Sequence, residues 1–178
     1  MSIVNLSEIS ILPMTKDDID AVVQIEKEAY GNHHWAKASF YEELSNNLAR
    51  YYSAKNKQGE LVGYAGTWHI IDEGHITTIA VKKEYLRNHI GETIIQKIIE
   101  DCYKDNIKYL TLEVRASNIP AIKLYEKYGF QSLGTRKGYY QDNNEDAIIM
   151  WTENIFWDKF KDKYNDNIAK LKEQVRIL

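Results

Sequence analysis

The sequence predicts a single α/β domain built on a mixed β-sheet flanked by helices, with an amphipathic helix added at its C-terminus. Short runs that alternate apolar with polar residues, as strands do, are interleaved with longer segments whose apolar residues recur at helical spacing. Their order is β-α-α-β-β-β-α-β-α-β-β, and the central strand–helix–strand unit requires a parallel pair of strands. The length of 178 residues suits one domain. We assign this domain to residues 8–152 and the helical extension to residues 153–178.

Capping and turn residues define the elements of the N-terminal half. Thr15 is placed to cap the first helix, and Asp17 and Asp18 follow in its first turn, where the helix dipole favours acidic side chains. Gly31 ends that helix, and Gly59 lies in the turn of a hairpin. We therefore expect a strand over residues 8–14, helices over 16–30 and 37–46, and paired strands over 50–54 and 61–69.

The C-terminal half begins with a glycine turn at residues 72–74. An apolar face on the next helix includes Cys102, which we therefore assign to the core. A later helix has Asn118 in position to cap it, Pro120 in its first turn and Gly129 at its end. We expect strands over residues 75–81, 108–115, 130–134 and 147–152, and helices over 91–104 and from Asn118 to Gly129.

Residues 153–178 carry a further apolar stripe, with members three or four positions apart as in a helix. Its members are Phe156, Trp157, Phe160, Tyr164, Ile168, Leu171 and Val175. We expect this helix to pack on its own domain or on a second copy of the chain, as in a homodimer. The alternative is docking to a partner such as the ribosome. Its lysines are balanced by aspartates, so it is not a basic RNA-binding arm.

Composition excludes several classes of function. The net charge of −3 offers no general attraction to nucleic acid, and no apolar run reaches the length of a membrane span. The first fifteen residues contain no arginine and include Glu8, so we expect neither a signal peptide nor a transit peptide. A single cysteine suits a reducing compartment. These features predict a cytoplasmic protein, or one of the stroma or matrix if the gene is organellar.

The segment from Leu112 to Phe130 carries the strongest indication of chemistry. It places a carboxylate, Glu113, at the end of a buried strand, followed by Asn118 at the start of the next helix. Tyr125 lies two turns along that helix, on the face that returns over the strand. A carboxylate and a phenol at such a joint form a candidate acid/base pair.

The words LEVRASN, AI-LYE--GF, RKGYY and DAIIMW occur in this order between residues 112 and 151. In them the chain resembles the RimI group of GNAT acetyltransferases, which move acetyl from acetyl-CoA to a protein N-terminal amine. The resemblance runs from about residue 9 to residue 151 and implies a mixed sheet whose central parallel strands splay apart to admit the cofactor. It also implies that Glu113 is the general base and that Tyr125 is the acid that protonates the departing thiolate.

The resemblance assigns further residues to acetyl-CoA. Backbone groups of Ile79, Ala80 and Val81 would contact the acetyl carbonyl and the pantetheine amide, and Asn118 would contact the CoA arm. The pyrophosphate loop would comprise Arg87, Asn88, His89, Ile90, Gly91 and Glu92 at a helix N-terminus, where free N–H groups attract phosphate.

This loop departs from the family pattern Q/R-x-x-G-x-G/A. Leu86 replaces the first polar residue and His89 replaces the first glycine, so that Gly91 alone is retained. If the backbone there needs a positive φ, histidine is uncommon but tolerated. His89 then either donates a hydrogen bond to phosphate or is a substitution that weakens CoA binding.

The acceptor side is predicted from aromatic residues. By the resemblance, Trp35 and a loop carrying Arg136, Tyr139 and Tyr140 flank the peptide entrance; the alternative is that these aromatic side chains serve only in packing. His33 and His34 adjoin Trp35, but no third ligand has suitable spacing, so we expect no metal.

Three functions remain as hypotheses. The first is an Nα-acetyltransferase whose acceptor is a protein N-terminus, with a ribosomal protein as one candidate. The second is an acetyltransferase for a lysine side chain or a small-molecule amine. The third, from a different class, is a non-catalytic CoA-binding or interaction protein. The departures of the pyrophosphate loop from the family pattern, at Leu86 and His89, would be consistent with such a protein.

Overall fold

The computed structural model describes residues 4–176, and side chains as far as residue 174. Seven strands form one mixed sheet, and five α-helices accompany them, which confirms the predicted class. The elements are β1 (Ser10–Pro13), α1 (Ile19–Tyr30), α2 (Lys37–Leu44), β2 (Ala49–Lys55), β3 (Leu61–Ile70), β4 (Glu73–Val81), α3 (Ile90–Lys104), β5 (Tyr109–Arg115), α4 (Ile119–Lys127), β6 (Phe130–Tyr140), β7 (Glu145–Thr152) and α5 (Asp158–Arg176).

Contacts divide the described chain into two compact units. The first contains residues 4–68 and 78–99, and the second contains residues 69–77 and 100–176. Strand β4 and helix α3 therefore contribute residues to both units. The assignment of residues 8–152 and 153–178 as domain and extension stays a prediction.

In the first unit, β1, β2 and β3 are neighbours and run antiparallel. Their apolar residues pack with α1 and α2 around the fully buried ring of Phe40, which meets the rings of Tyr51 and Tyr64 edge-on at centroid distances of 6.2 and 5.9 Å. Such edge-to-face contacts stabilise a core beyond the area that they bury. The core of this unit thus rests on aromatic residues from both helix and sheet.

In the second unit, the strand order is β4-β5-β7-β6. β4 and β5 pair in parallel, as predicted, and β7 runs antiparallel to both β5 and β6. Asn118 accepts a hydrogen bond from the Ala121 N–H at 3.4 Å, which confirms its predicted capping role in α4. Cys102 is fully buried, as predicted.

Helix α5 packs within the second unit. Phe160 is buried beside Gly129, and the Asn167 amide donates to the Lys127 carbonyl at 2.9 Å. Lys163 donates to the Glu126 carbonyl, which also accepts from the Gly129 N–H, so α5 contacts two carbonyls at the end of α4. Packing on the chain itself is therefore confirmed, whereas a homodimer stays a prediction, and the Val175 side chain lies outside the described residues.

Two local expectations were wrong. Strand β6 does not end at Gly134 but continues to Tyr140, so Arg136 and Tyr139 lie on a strand rather than in a loop. Trp157 is 57% exposed because α5 begins only at Asp158, after the stripe was expected to start. Thr15 is the N-cap residue, as predicted, in a capping box with Asp18, whose carboxylate accepts from the Thr15 N–H and hydroxyl.

Candidate active site

Glu113 lies on β5 between two buried neighbours, Leu112 and Val114, and its side chain therefore points to the opposite face of the sheet. There the Arg136 Nε lies 3.0 Å from one carboxylate oxygen of Glu113. The Tyr139 hydroxyl also hydrogen-bonds to Glu113, and burial, followed by this contact with a negative charge, raises the pKa of Tyr139. The structure thus brings together three of the predicted site residues.

A cavity of about 330 Å³ opens beside this ion pair. We call it the Glu113 cavity; its polar lining is Glu73, His75, Thr111, Glu113 and Arg136, and its apolar lining is Ile70, Ile149 and Trp151. Burial lowers the pKa of His75, and the Glu113 carboxylate acts in the opposite direction. A neutral imidazole and a carboxylate therefore face the same space, where either could accept a proton.

Tyr125 lies on α4 and is 6% exposed. Its ring packs against Phe130 with 5.6 Å between centroids. The same side chain therefore contributes to the packing of the α4–β6 junction, whatever chemistry its hydroxyl performs.

An arginine fixes the turn between β6 and β7. Arg115 contacts Asp142 at 2.9 Å and Glu145 at 3.3 Å, and its guanidinium lies 3.9 Å from the centre of the Tyr140 ring. The Glu145 carboxylate also accepts from the Ser117 N–H at 2.7 Å, and contacts of this carboxylate with Ser117 and Arg115 lower the pKa of Glu145 to about 2. The hairpin that carries Tyr139 is thereby held to the end of the strand that carries Glu113.

The predicted pyrophosphate loop lies in the first unit, before α3. Arg87 and His89 both adopt left-handed backbone conformations, with φ of 61° and 60°, as expected if a glycine of the family pattern has been replaced. The His89 Nδ1 lies 3.0 Å from a carboxylate oxygen of Glu92, whose side chain is only 5% exposed. Asn88 donates to the Tyr85 and Leu86 carbonyls and so stabilises the turn.

The first unit also contains the backbone predicted to contact the acetyl group. The Tyr30 hydroxyl donates a hydrogen bond to the Ile79 carbonyl. Ala80 is buried in the core of this unit, whereas Ile79 and Val81 are half-buried. One of the polar groups assigned to the cofactor is therefore already bound by the protein itself.

Trp35 is half-buried, and its ring lies against Phe40 with 5.7 Å between centroids. Its backbone N–H donates to Glu26 at 3.0 Å, and the Thr78 hydroxyl donates to the other oxygen of the same carboxylate. Glu26 is only 1% exposed, and this burial raises its pKa. No local pattern indicated this buried acid, because in sequence Glu26 resembles the solvent-facing glutamates of an ordinary helix.

Sequence reasoning also missed the cavity-lining residues of β4. Parallel pairing sets His75 opposite Thr111 and Glu73 opposite Tyr109, on the side of the sheet that Glu113 shares. The sequence pattern that could have revealed them is the alternation along residues 73–77, which places Glu73 and His75 on the same face of the strand. Recognising it required the register between two strands that lie more than thirty residues apart.

Residues 4–176 lack both a metal-binding cluster and a membrane-spanning helix. Within that range, no group of three His, Cys, Asp or Glu side chains could hold a metal ion. His34 instead contacts the Gly31 carbonyl through Nδ1 at 2.7 Å. Across the same range, none of the helices has both the length and the apolar character that a membrane span requires.

Comparison with known proteins identifies the family. Residues 19–130 match the model of the acetyltransferase (GNAT) family, whose members use acetyl-CoA. A Bacillus subtilis (strain 168) protein, provisionally named a ribosomal protein bS18-alanine N-acetyltransferase, is 46% identical over 138 residues, which cover 78% of this chain and 91% of that protein. The ribosomal protein bS18-alanine N-acetyltransferase of Escherichia coli (strain K12) is 36% identical over 148 residues, covering 82% and 96%.

A solved structure agrees with these sequence matches. The crystal structure of the ribosomal-protein-S18-alanine N-acetyltransferase from Escherichia coli superposes with a TM-score of 0.75 at 30% identity, covering 82% of this chain and 94% of that one. Fold, sequence words and relatives therefore agree, and the chain belongs to the GNAT family of acetyltransferases, as an acyltransferase similar to the RimI group.

Proposed function

We propose that this chain is an Nα-acetyltransferase that transfers acetyl from acetyl-CoA to the N-terminal amine of a protein. The observation that carries the proposal is the Glu113 carboxylate, which lines a cavity and is oriented by Arg136 and Tyr139. The relatives' names support a protein N-terminus as the acceptor, and ribosomal protein bS18 is the candidate that they suggest.

The proposed mechanism is a direct transfer. A protein α-amine has a reference pKa near 7.7–8.0, so a useful fraction is neutral at physiological pH, unlike a lysine amine near 10.4. Glu113 accepts a proton from the amine, directly or through a water molecule, as the N–C bond forms. Bound acetyl-CoA supplies the thioester carbonyl that the amine attacks. Tyr125 then donates its hydroxyl proton to the sulfur as the C–S bond breaks.

Residues of the first unit would hold the donor. The start of α3 offers N–H groups that are unsatisfied within the helix, and Arg87 adds an exposed positive charge. Glu92 would repel a pyrophosphate, but the His89 ring engages one of its carboxylate oxygens at 3.0 Å, and the Glu92 side chain is buried. The free N–H groups and Arg87 support CoA binding at this loop despite its departures from the family pattern. We retain the proposed roles of Ile79, Ala80, Val81 and Asn118.

Trp35, Arg136 and Tyr139 remain the proposed acceptor-binding residues. Arg136 and Tyr139 contact Glu113 directly, so an arriving amine would exchange places with one of them. The Arg136 side chain is 55% exposed, and such a partly solvated ion pair costs little to rearrange.

The test compares wild type with Glu113→Gln on a peptide with a free N-terminus and on the same peptide with a blocked N-terminus and an internal lysine. We expect acetylation of the free terminus alone, and a loss of about 10²–10⁴-fold in kcat for the variant, the usual worth of general base catalysis. Calorimetric titration should find acetyl-CoA affinity unchanged. Glu100→Gln, which removes an exposed carboxylate paired with Lys104, is the matched control.

Two results would contradict the proposal. Acetylation of the blocked peptide at lysine would favour the side-chain acetyltransferase. Absence of turnover together with absence of acetyl-CoA binding would favour a non-catalytic protein.

A further inference from the structure

The Glu113 cavity extends well beyond the carboxylate for which it is named. Along the sheet, Glu113 lies opposite Ile149, Thr111 lies opposite both Trp151 and His75, and Glu73 lies opposite Tyr109. Glu73 on β4 is therefore level with Tyr109, which precedes Glu113 by four residues on β5. At the usual strand rise this separation is about 13 Å. The cavity therefore has a catalytic end at Glu113 and a distal end at Glu73.

The two ends differ in charge. At the catalytic end, Glu113 is paired with Arg136 at 3.0 Å, so the two charges largely offset each other. At the distal end, the exposed Glu73 carboxylate forms no ion pair or side-chain hydrogen bond within residues 4–176. The nearby His75 has a pKa lowered by burial and so adds no compensating cation at neutral pH. The distal end therefore attracts positive charge.

The wall between the ends is apolar. Ile149 and Trp151 are half-buried, and the side chain of Ile70 is 44% exposed at the cavity rim. A lysine or arginine side chain suits such a surface, because its methylene stem packs on apolar groups while its charged head reaches a carboxylate. An arginine would in addition find the Trp151 indole as a stacking partner.

We propose that the distal end of the Glu113 cavity binds the side chain of the second residue of the acceptor and selects lysine or arginine there. This inference rests on the proposed function, because an amine at Glu113 fixes where residue 2 begins. From that nitrogen, the Cα of residue 2 lies at most about 5 Å away, by standard backbone dimensions. A lysine stem adds about 6 Å, which brings its ammonium within reach of Glu73.

The test uses hexapeptides Ala-Xaa-Gly-Gly-Tyr-Gly with a free N-terminus, where Xaa is arginine, lysine, norleucine or glutamate. We expect wild type to favour lysine over norleucine by about fivefold in kcat/KM, the modest worth of a partly exposed ion pair. Glutamate should be the poorest residue. Glu73→Gln should abolish the preference for lysine over norleucine, and an unchanged midpoint of urea denaturation should show that the variant is folded.

Two further variants sharpen the test. Glu73→Lys should invert the order, so that the glutamate peptide becomes better than the lysine peptide. Asp72→Asn is the matched control, because Asp72 adjoins Glu73 but pairs with Lys108 outside the cavity lining; it should keep the wild-type preference. Equal turnover of all four peptides, or a preference that survives Glu73→Gln, overturns this inference and leaves the proposed function standing. Absence of turnover on every peptide overturns both.

Discussion

Replacing Gly129 with alanine tests how firmly helix α5 is anchored to the end of α4. Gly129 has a φ of +90°, and a Cβ built on it would lie 2.9 Å from Phe160 Cε2 and 3.1 Å from Cδ2. A left-handed conformation costs a residue with a Cβ about 1–2 kcal/mol. Overpacking a buried ring adds about 1–3 kcal/mol, because carbon atoms prefer to be 3.5–4.0 Å apart. We therefore expect Gly129→Ala to lower the free energy of unfolding by about 2–5 kcal/mol.

Gly59→Ala is the matched control for the backbone contribution. Gly59 has a φ of +81°, and no atom lies within 4 Å of the added Cβ, so this variant should cost only the conformational part, about 1–2 kcal/mol. Both substitutions change the unfolded chain in the same way, since each converts glycine to alanine. The difference between the two variants therefore measures the contact with Phe160.

Urea denaturation followed by circular dichroism supplies the measurement, with the midpoint and the slope m compared between variants. The Phe160→Ala background provides a second check, because removing the ring should reduce the cost of Gly129→Ala to that of Gly59→Ala. If Gly129→Ala and Gly59→Ala cost the same in the wild-type background, Phe160 does not press on the α4–β6 junction and the packing argument is wrong.

Two further predictions concern the buried carboxylate of Glu26 and the contact between His89 and Glu92. Burial raises the pKa of Glu26, so its proton is bound more tightly in the folded chain, and stability should fall as pH rises from the ordinary carboxyl range near 4.3 through the raised native pKa. Glu26→Gln should therefore gain stability relative to wild type over that interval in urea titrations; an unchanging difference would refute this. His89→Gly should weaken acetyl-CoA binding about tenfold by calorimetry, because the strain is relieved equally with and without ligand whereas Glu92 loses the ring that engages one of its carboxylate oxygens. Glu92→Gln in the same background should restore affinity, and tighter binding by His89→Gly alone would contradict the reasoning.

Most elements of the fold were accessible from local sequence signals. Asn118 and Gly129 bound α4 as predicted, because caps and left-handed glycines act through neighbouring backbone groups alone. Strand β6 was cut short in the prediction because most of its residues are exposed on both faces, so the usual alternation is absent. Gly138, with a φ of 59°, and two register shifts further disguise the strand.

The candidate site was accessible only in part. Glu113 and Tyr125 were predicted from sequence words confined to one strand–helix joint, and Glu113 lines the cavity. The partner of Glu113 was not found, because Arg136 is brought to it by β7, which pairs with both β5 and β6. Glu26 was missed for a similar reason: its burial depends on the turn at Trp35 folding back onto α1, which no helical pattern reveals.

Arg115 links the β6–β7 hairpin to the β5–α4 joint, so substitutions in one of these segments require matching substitutions in the other. Arg115 contacts Asp142, Asn143, Glu145 and the Tyr140 ring, and the Ser117 N–H donates to Glu145. A hairpin transplanted from a relative to alter acceptor choice would therefore lose its anchor unless position 115 were exchanged with it. Insertions at residues 141–144 would also break the contacts with Arg115. We therefore expect a change of acceptor specificity to need replacements both in the hairpin and at position 115, rather than exchange of the loop alone.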